Sequence, residues 1–176
     1  MWMDVTLLNK NTLRVKGKTA SIIIDPTSSL SKTEADAILL LGDYADGGSG
    51  KVDGARITIK GPGEYEIGGI KVSVTQVGRD LVASLDVDGL KLLVGKGSTI
   101  EEIHDRIEEC QIAVINSESE FNHSFLTSLE PNALLIYGDK KEEVVKSLGK
   151  TDAAKASKFS TTSEKLPEEM QVVLLE

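Results

Sequence analysis

Three features of the chain predict a mixed α/β domain of stacked sheets with helices on their outer faces. The first half strings together short β-rich segments separated by turn signals, and the second half shifts to alternating strand and helix periodicity. Across 176 residues, 40% hydrophobic and 27% charged residues suit one sizeable core. A single domain spanning residues 1–176 is therefore expected, with no linker-like stretch and no internal repeat.

Strands are expected at Asp4 to Leu8, Thr12 to Val15, Ser21 to Ile24 and Ala37 to Leu41. Five more follow at Arg56 to Lys60, Gly63 to Ile67, Ile70 to Val77, Leu81 to Val87 and Leu90 to Val94. Lys16-Gly17, Gly61-Pro62-Gly63 and Asp88-Gly89 punctuate them. Asp88-Gly89 between two apolar runs predicts a tight hairpin, because a type I′ turn requires positive φ at both central residues. Ile100, Ile103 and Ile107 then recur at helical spacing, predicting a helix over Thr99 to Glu109 with Ser98 as its N-cap and Glu101 completing a capping box. Beyond it lie a strand at Ile112 to Ile115, a helix at Glu120 to Leu129, a strand at Ala133 to Tyr137, a helix at Lys141 to Ser147 and a last strand at Gln171 to Leu175. The glycine-rich segment Asp46 to Gly54 is expected to be the mobile loop.

Charge and cysteine usage remove several classes of function. Net charge is −8 with acids spread along the chain, which argues against a nucleic-acid partner or an anionic membrane surface. No run reaches the roughly 18 apolar residues of a membrane span, and no basic region precedes an apolar leader, so a cytoplasmic location is expected. Cys110, the only cysteine, reads as a reduced, buried thiol at the entry to a strand. Asp43 as the first position of a calcium loop would put Ala45, Gly47 and Gly54 where oxygen ligands belong, and Gly50-Lys51 is followed by Val52 instead of the Ser or Thr of a phosphate loop. No serine stands in a nucleophile elbow.

Several landmarks resemble, in order, the small lactonase-like members of the metallo-β-lactamase superfamily. They are Ser21-Ile22-Ile23-Ile24-Asp25-Pro26, the stretch Ala35 to Gly48, Gly61-Pro62-Gly63-Glu64-Tyr65-Glu66 and the closing Leu166-Pro167 to Glu176. The resemblance implies a four-layer αββα sandwich with a metal loop, His-x-His-x-Asp-His, directly after the Ala37 to Leu41 strand. In this chain Gly42, Tyr44 and Gly47 stand at the three histidine positions, while Asp43 and Asp46 remain. The imidazole donors that a zinc or iron ion needs are missing. Lys96, in Val94-Gly95-Lys96, takes the place of a bridging carboxylate, and the terminal ligand histidine falls among Tyr137-Gly138-Asp139. An ammonium beside a divalent cation is repelled by it. No metal or other cofactor is expected.

What remains is a candidate vestigial pocket of Asp25, Asp43, Tyr44, Asp46, Lys96, His123 and Asp139, with Asp53, Glu64 and Glu66 as further carboxylates for the same rim. His104 reads as a solvated residue of a charged helix; His123 is placed just after a strand end on the side where the superfamily's site opens. These features favour a non-catalytic descendant of a hydrolase, acting by binding a small molecule or a partner segment in the emptied cleft or by homo-oligomeric assembly. One alternative is a hydrolase of altered chemistry with Asp25, Asp43, Asp46 and Asp139 around Mg²⁺ or Mn²⁺. Another is a purely structural, oligomer-forming subunit.

Overall fold

A computed structural model describes residues 2–42 and 47–176. In chain order the strands of the first half are β1 (Trp2–Leu7), β2 (Leu13–Lys16), β3 (Ser21–Ile24), β4 (Thr33–Glu34), β5 (Ala37–Leu39), β6 (Val52–Asp53) and β7 (Ile57–Ile59). Then come β8 (Gly63–Ile67), β9 (Ile70–Val77), β10 (Asp80–Val87), β11 (Leu90–Lys96), helix α1 (Gly97–Ile103), β12 (Ile112–Asn116), helix α2 (Phe125–Ser128) and β13 (Ala133–Tyr137). Helix α3 (Lys141–Ser147), β14 (Ala154–Ala156), β15 (Lys158–Thr162) and β16 (Gln171–Leu175) complete the chain.

Among the described residues the strands form a six-stranded sheet in the order β15-β1-β2-β3-β5-β7 and an eight-stranded sheet in the order β14-β16-β13-β12-β11-β10-β9-β8. Alternation decides which side chains meet between them. Ile22, Ile24 and Leu39 of the first sheet face Val72, Leu85, Leu92, Val114 and Leu135 of the second in one buried cluster. The neighbouring residues Leu93, Ile115, Ile136 and Leu174 point the other way and are covered by Ile100, Ile103, Val144 and Val145 of the helices. The parallel run β11-β12-β13-β16 is thus buried on both faces. That is why Ile112–Ile115 and Ala133–Ile136 are continuous apolar runs with no alternation.

The two outer faces are covered in different ways. Among the described residues, the outer face of the six-stranded sheet, with Ile23 and Ile38, is covered by Leu30, Ala35, Leu40 and Val52 from connecting segments and the small β4-β6 ladder, not by an α-helix. The glycine-rich segment expected to be mobile takes part in this cover from Gly47 onward: Ser49–Lys51 forms a 3₁₀ turn, and Val52 pairs with Thr33. Gly48 is buried where a Cβ would run into the backbone of Pro26 and Thr27.

Other expectations need smaller corrections. The helix expected over Thr99 to Glu109 starts at Gly97 and ends at Ile103, followed by a 3₁₀ turn over His104–Arg106. Lys96 is its N-cap, so no Ser98 capping box forms. Strand β11 runs straight into this helix at Gly97, a position where a Cβ would overlap the Phe121 ring. The helix expected over Glu120 to Leu129 shrinks to Phe125–Ser128, since Asn122 turns the chain by accepting the Ser124 N–H at 3.0 Å through its own side chain. Strands β14 and β15 were not legible in their Lys- and Ser-rich sequence; β15 is held by five register pairs to β1 at the sheet edge. The expected hairpin turn is present, with Asp88 at φ 52° and Gly89 at φ 87°. No described helix is long and apolar enough to cross a membrane.

Candidate functional site

Strand ends of both sheets meet at one corner, and Asp25 sits at its root. It follows β3 in a left-handed conformation, φ 52°, which Asp tolerates better than most residues. Its N–H donates to the Leu39 carbonyl at 3.0 Å, and its own carbonyl accepts the Thr12 hydroxyl at 2.9 Å. The carboxylate is buried and accepts the Leu41 N–H at 2.8 Å, with the Gly42 N–H as a second backbone donor. Burial pushes the Asp25 carboxyl up to about 6; the two backbone N–H groups and Lys96 pull it down, and Asp80 pushes it further up. Leu41 also carries the link to the other sheet, its carbonyl accepting the Leu81 N–H at 2.8 Å.

On the eight-stranded side, Lys96 ends β11 and its Nζ lies 3.2 Å from Asp80 Oδ1, with both side chains mostly shielded from solvent. The Thr99 hydroxyl donates to Asp80 Oδ2 at 3.3 Å, so α1 helps to hold the pair. Parallel register then lines up Lys96, Asn116 and Tyr137 at adjacent strand ends. Asn116 is buried and its Oδ1 accepts the Glu118 N–H at 2.9 Å; Ser117 is buried and donates its hydroxyl to the Tyr137 carbonyl at 2.7 Å.

The other residues of the expected pocket separate. Asp139 forms an exposed ion pair with Lys10, 2.9 Å, on an open cleft of about 420 Å³ that Asn9, Lys141 and Glu176 also line. That ion pair raises the Lys10 ammonium above its ordinary value, the hydrogen bond from Asp139 being the largest cause. Asn9 makes the turn there, its Oδ1 accepting the N–H groups of Asn11 and Thr12. His123 lies elsewhere: its Nδ1 is 2.6 Å from Ser147 Oγ at the last residue of α3, and its ring stands edge-on to Phe121. His104 is exposed, its Nδ1 2.7 Å from the Glu101 carbonyl. Asp43, Tyr44 and Asp46 lie outside the described residues.

Among the described residues the wider carboxylate rim does not form. Asp53 joins Asp36 beside Ser21, at the opposite end of β3 from Asp25. Glu64 and Glu66 lie on β8 opposite Ser73 and Lys71, and Glu64 accepts the Ser73 hydroxyl at 2.7 Å. Among the described residues no three His, Cys, Asp or Glu side chains gather to hold a metal ion. The donor set at the corner does not fit zinc or iron: Asp25 is engaged by backbone N–H groups, Asp80 by an ammonium, and no described imidazole or thiolate joins them.

Sequence reasoning missed Asp80, Thr99, Asn116 and Ser117. A signal for Asp80 did exist. The Asp88-Gly89 turn sets Val87 opposite Leu90, and continuing that register sets Leu81 opposite Lys96, one residue from Asp80.

No protein-family profile matches the chain, and no curated protein matches it. Solved structures do. The chain is similar to a candidate zinc-dependent hydrolase of the metallo-β-lactamase superfamily from Thermotoga maritima, with a TM-score of 0.74 at 16% identity over 99% of both chains. A candidate metal-dependent hydrolase from Parabacteroides distasonis matches with a TM-score of 0.64 at 17% identity, over 99% of this chain and 94% of that one. A metallo hydrolase from Ignicoccus hospitalis matches with a TM-score of 0.62 at 11% identity, over 98% and 95%. The fold is therefore that of the metallo-β-lactamase superfamily.

Proposed function

We propose that this chain is a non-catalytic metallo-β-lactamase-fold protein whose strand-end corner binds a small molecule or a partner segment. The observation that carries the reading is Lys96. It ends β11 where the resemblance puts a metal-bridging carboxylate, and it is ion-paired with Asp80. A cation fixed there cannot help to hold a second cation, and the side chains near it are hydrogen-bonding groups of the kind that orient a ligand: Asn116, Ser117 and Thr99. The alternative with Asp25, Asp43, Asp46 and Asp139 around Mg²⁺ or Mn²⁺ draws less support. Asp139 is taken up by Lys10 and does not gather with Asp25 and Asp80 into a metal-holding group. The buried single thiol suits a reducing cytoplasm.

The test is elemental analysis of protein purified without chelator or metal-affinity tag, followed by assay against lactones with and without added Zn²⁺ and Mn²⁺. Sub-stoichiometric metal and background hydrolysis are expected. One bound transition metal per chain, removed by EDTA together with a hydrolytic activity, would overturn the reading. Binding is followed by NMR with a fragment collection, and shifts at Lys96, Asn116 and Ser117 are expected.

A further inference from the structure

We infer that the Lys96 ammonium is the resident cation of the corner, holding the structural place of a divalent ion between carboxylates of the two sheets and keeping such an ion out. The inference goes beyond the binding role proposed above and stands whether or not the corner takes a ligand.

The geometry is a chain of contacts across the junction of the sheets. Asp25 belongs to the first sheet and accepts the Leu41 N–H at 2.8 Å. The Leu41 carbonyl accepts the Leu81 N–H, also at 2.8 Å, which fixes the start of β10 against the end of β5. Asp80, next to Leu81, is ion-paired with Lys96 at 3.2 Å. The Lys96 charge also favours the Asp25 carboxylate, while that of Asp80 opposes it. Among the described residues, two carboxylates thus face one corner with one ammonium acting on both. Without that ammonium, they would repel each other in a shielded site, and two carboxylates with the Thr99 hydroxyl are hard oxygen donors of the type Mg²⁺ and Mn²⁺ accept. The arrangement also explains why an ammonium can sit at a strand end that the fold elsewhere uses for a ligand. It offsets one of the two negative charges with a covalently attached cation, beside the Leu41-to-Leu81 backbone bond that joins the two sheets.

Two substitutions separate charge from bulk. Lys96→Arg keeps the cation, and its Tm should stay near that of the parent. Lys96→Met removes the cation, and its Tm should fall by on the order of 5 °C. Millimolar Mn²⁺ should recover most of that fall in Lys96→Met, with the Mn²⁺ electron paramagnetic resonance signal quenched by binding, and should leave the parent unchanged. Adding Asp80→Asn to Lys96→Met should abolish the Mn²⁺ response. The inference is overturned if Lys96→Met keeps the parent Tm, if Lys96→Arg falls as far as Lys96→Met, if Mn²⁺ raises the parent equally, or if the response survives Asp80→Asn. Should Lys96→Met be recovered only unfolded, dilution from urea with and without millimolar Mn²⁺ replaces the melt. Refolding that requires Mn²⁺ supports the inference, and failure in both conditions overturns it.

Discussion

Replacing Asp25 by Asn should stabilise the protein at neutral pH and not at acid pH. Asn accepts the left-handed φ of 52° as readily as Asp, and its carbonyl oxygen can still accept the Leu41 N–H, so backbone and hydrogen bond both survive. What changes is the charge. Burial raises the Asp25 carboxyl from its ordinary 3.8 to about 6, against the pull of the Leu41 and Gly42 N–H groups and Lys96 and with a further push from Asp80. Between those two values the native state holds this proton more tightly than the unfolded chain does. The stability that Asp25 contributes is therefore full below about 3.8 and is lost as pH rises through about 6. The interval amounts to roughly 3 kcal/mol at about 1.4 kcal/mol per pH unit. All other carboxylates titrate in both proteins, so the difference between Asp25→Asn and parent isolates this group. Urea unfolding of the two, paired at steps from pH 4 to pH 7.5, should show that difference moving by roughly 2.5 kcal/mol in favour of the variant, since part of the interval already lies below pH 4. A constant difference across the range would refute the assignment of Asp25 as a buried carboxylate ionising at a cost, and so would a variant that loses ground as pH rises.

Three further outcomes follow from the same geometry. Gly42→His, Tyr44→His and Gly47→His together should leave lactone hydrolysis at background, because Lys96 still occupies the bridging position and Asp139 is committed to Lys10; hydrolysis well above background by that triple variant would show otherwise. Burial, with Glu109 adding to it, pushes the Cys110 thiol up to about 11, so near pH 8 it should react with a disulfide reagent about 100-fold more slowly than an ordinary thiol until denaturant is added, and fast labelling of the folded protein would contradict this. Exposed Trp2 and Ile57, the latter on edge strand β7, should bring the chain together as a homodimer at micromolar concentration, since salt screens the net charge of −8 beyond about 8 Å; light scattering after size exclusion reads the mass, and a monomer at every salt concentration excludes the idea.

Features set by neighbours in sequence were readable from the chain, and features set by distant neighbours were not. The Asp88-Gly89 turn, the alternation of β9 and the doubly covered runs of β12 and β13 are local patterns, and each appears where the sequence puts it. Helix α2 was overestimated because the Asn122 side chain competes for the backbone N–H that would start the helix earlier. Strands β14 and β15 were overlooked because half-exposed edge strands need no apolar alternation; their pairing with β16 and β1 supplies the order. The site divides in the same way. Missing histidines at Gly42 and Gly47 are plain in the sequence, and so is the cation at Lys96, but Asp80 becomes its partner only through register carried back from the turn.

Asp25 marks the limit of that reading. In sequence it is one acid among several and a candidate vestigial ligand; in the fold its carboxylate is an acceptor for the backbone at the end of β5, with the Leu39 carbonyl and the Thr12 hydroxyl fixing its main chain. A group that holds the strand end leading into the loop is needed whether or not the loop carries ligands. The frame alone therefore gives Asp25 a structural role. Substitutions at Gly42, Tyr44 and Gly47 can remove donors while leaving the Leu41-to-Asp25 and Leu41-to-Leu81 bonds untouched, because those bonds use main-chain groups of Leu41 and Leu81 that any non-proline residue there would supply. The frame of the corner is thus carried by main-chain atoms and the Asp25 carboxylate, so side chains of the following loop can differ without disturbing it.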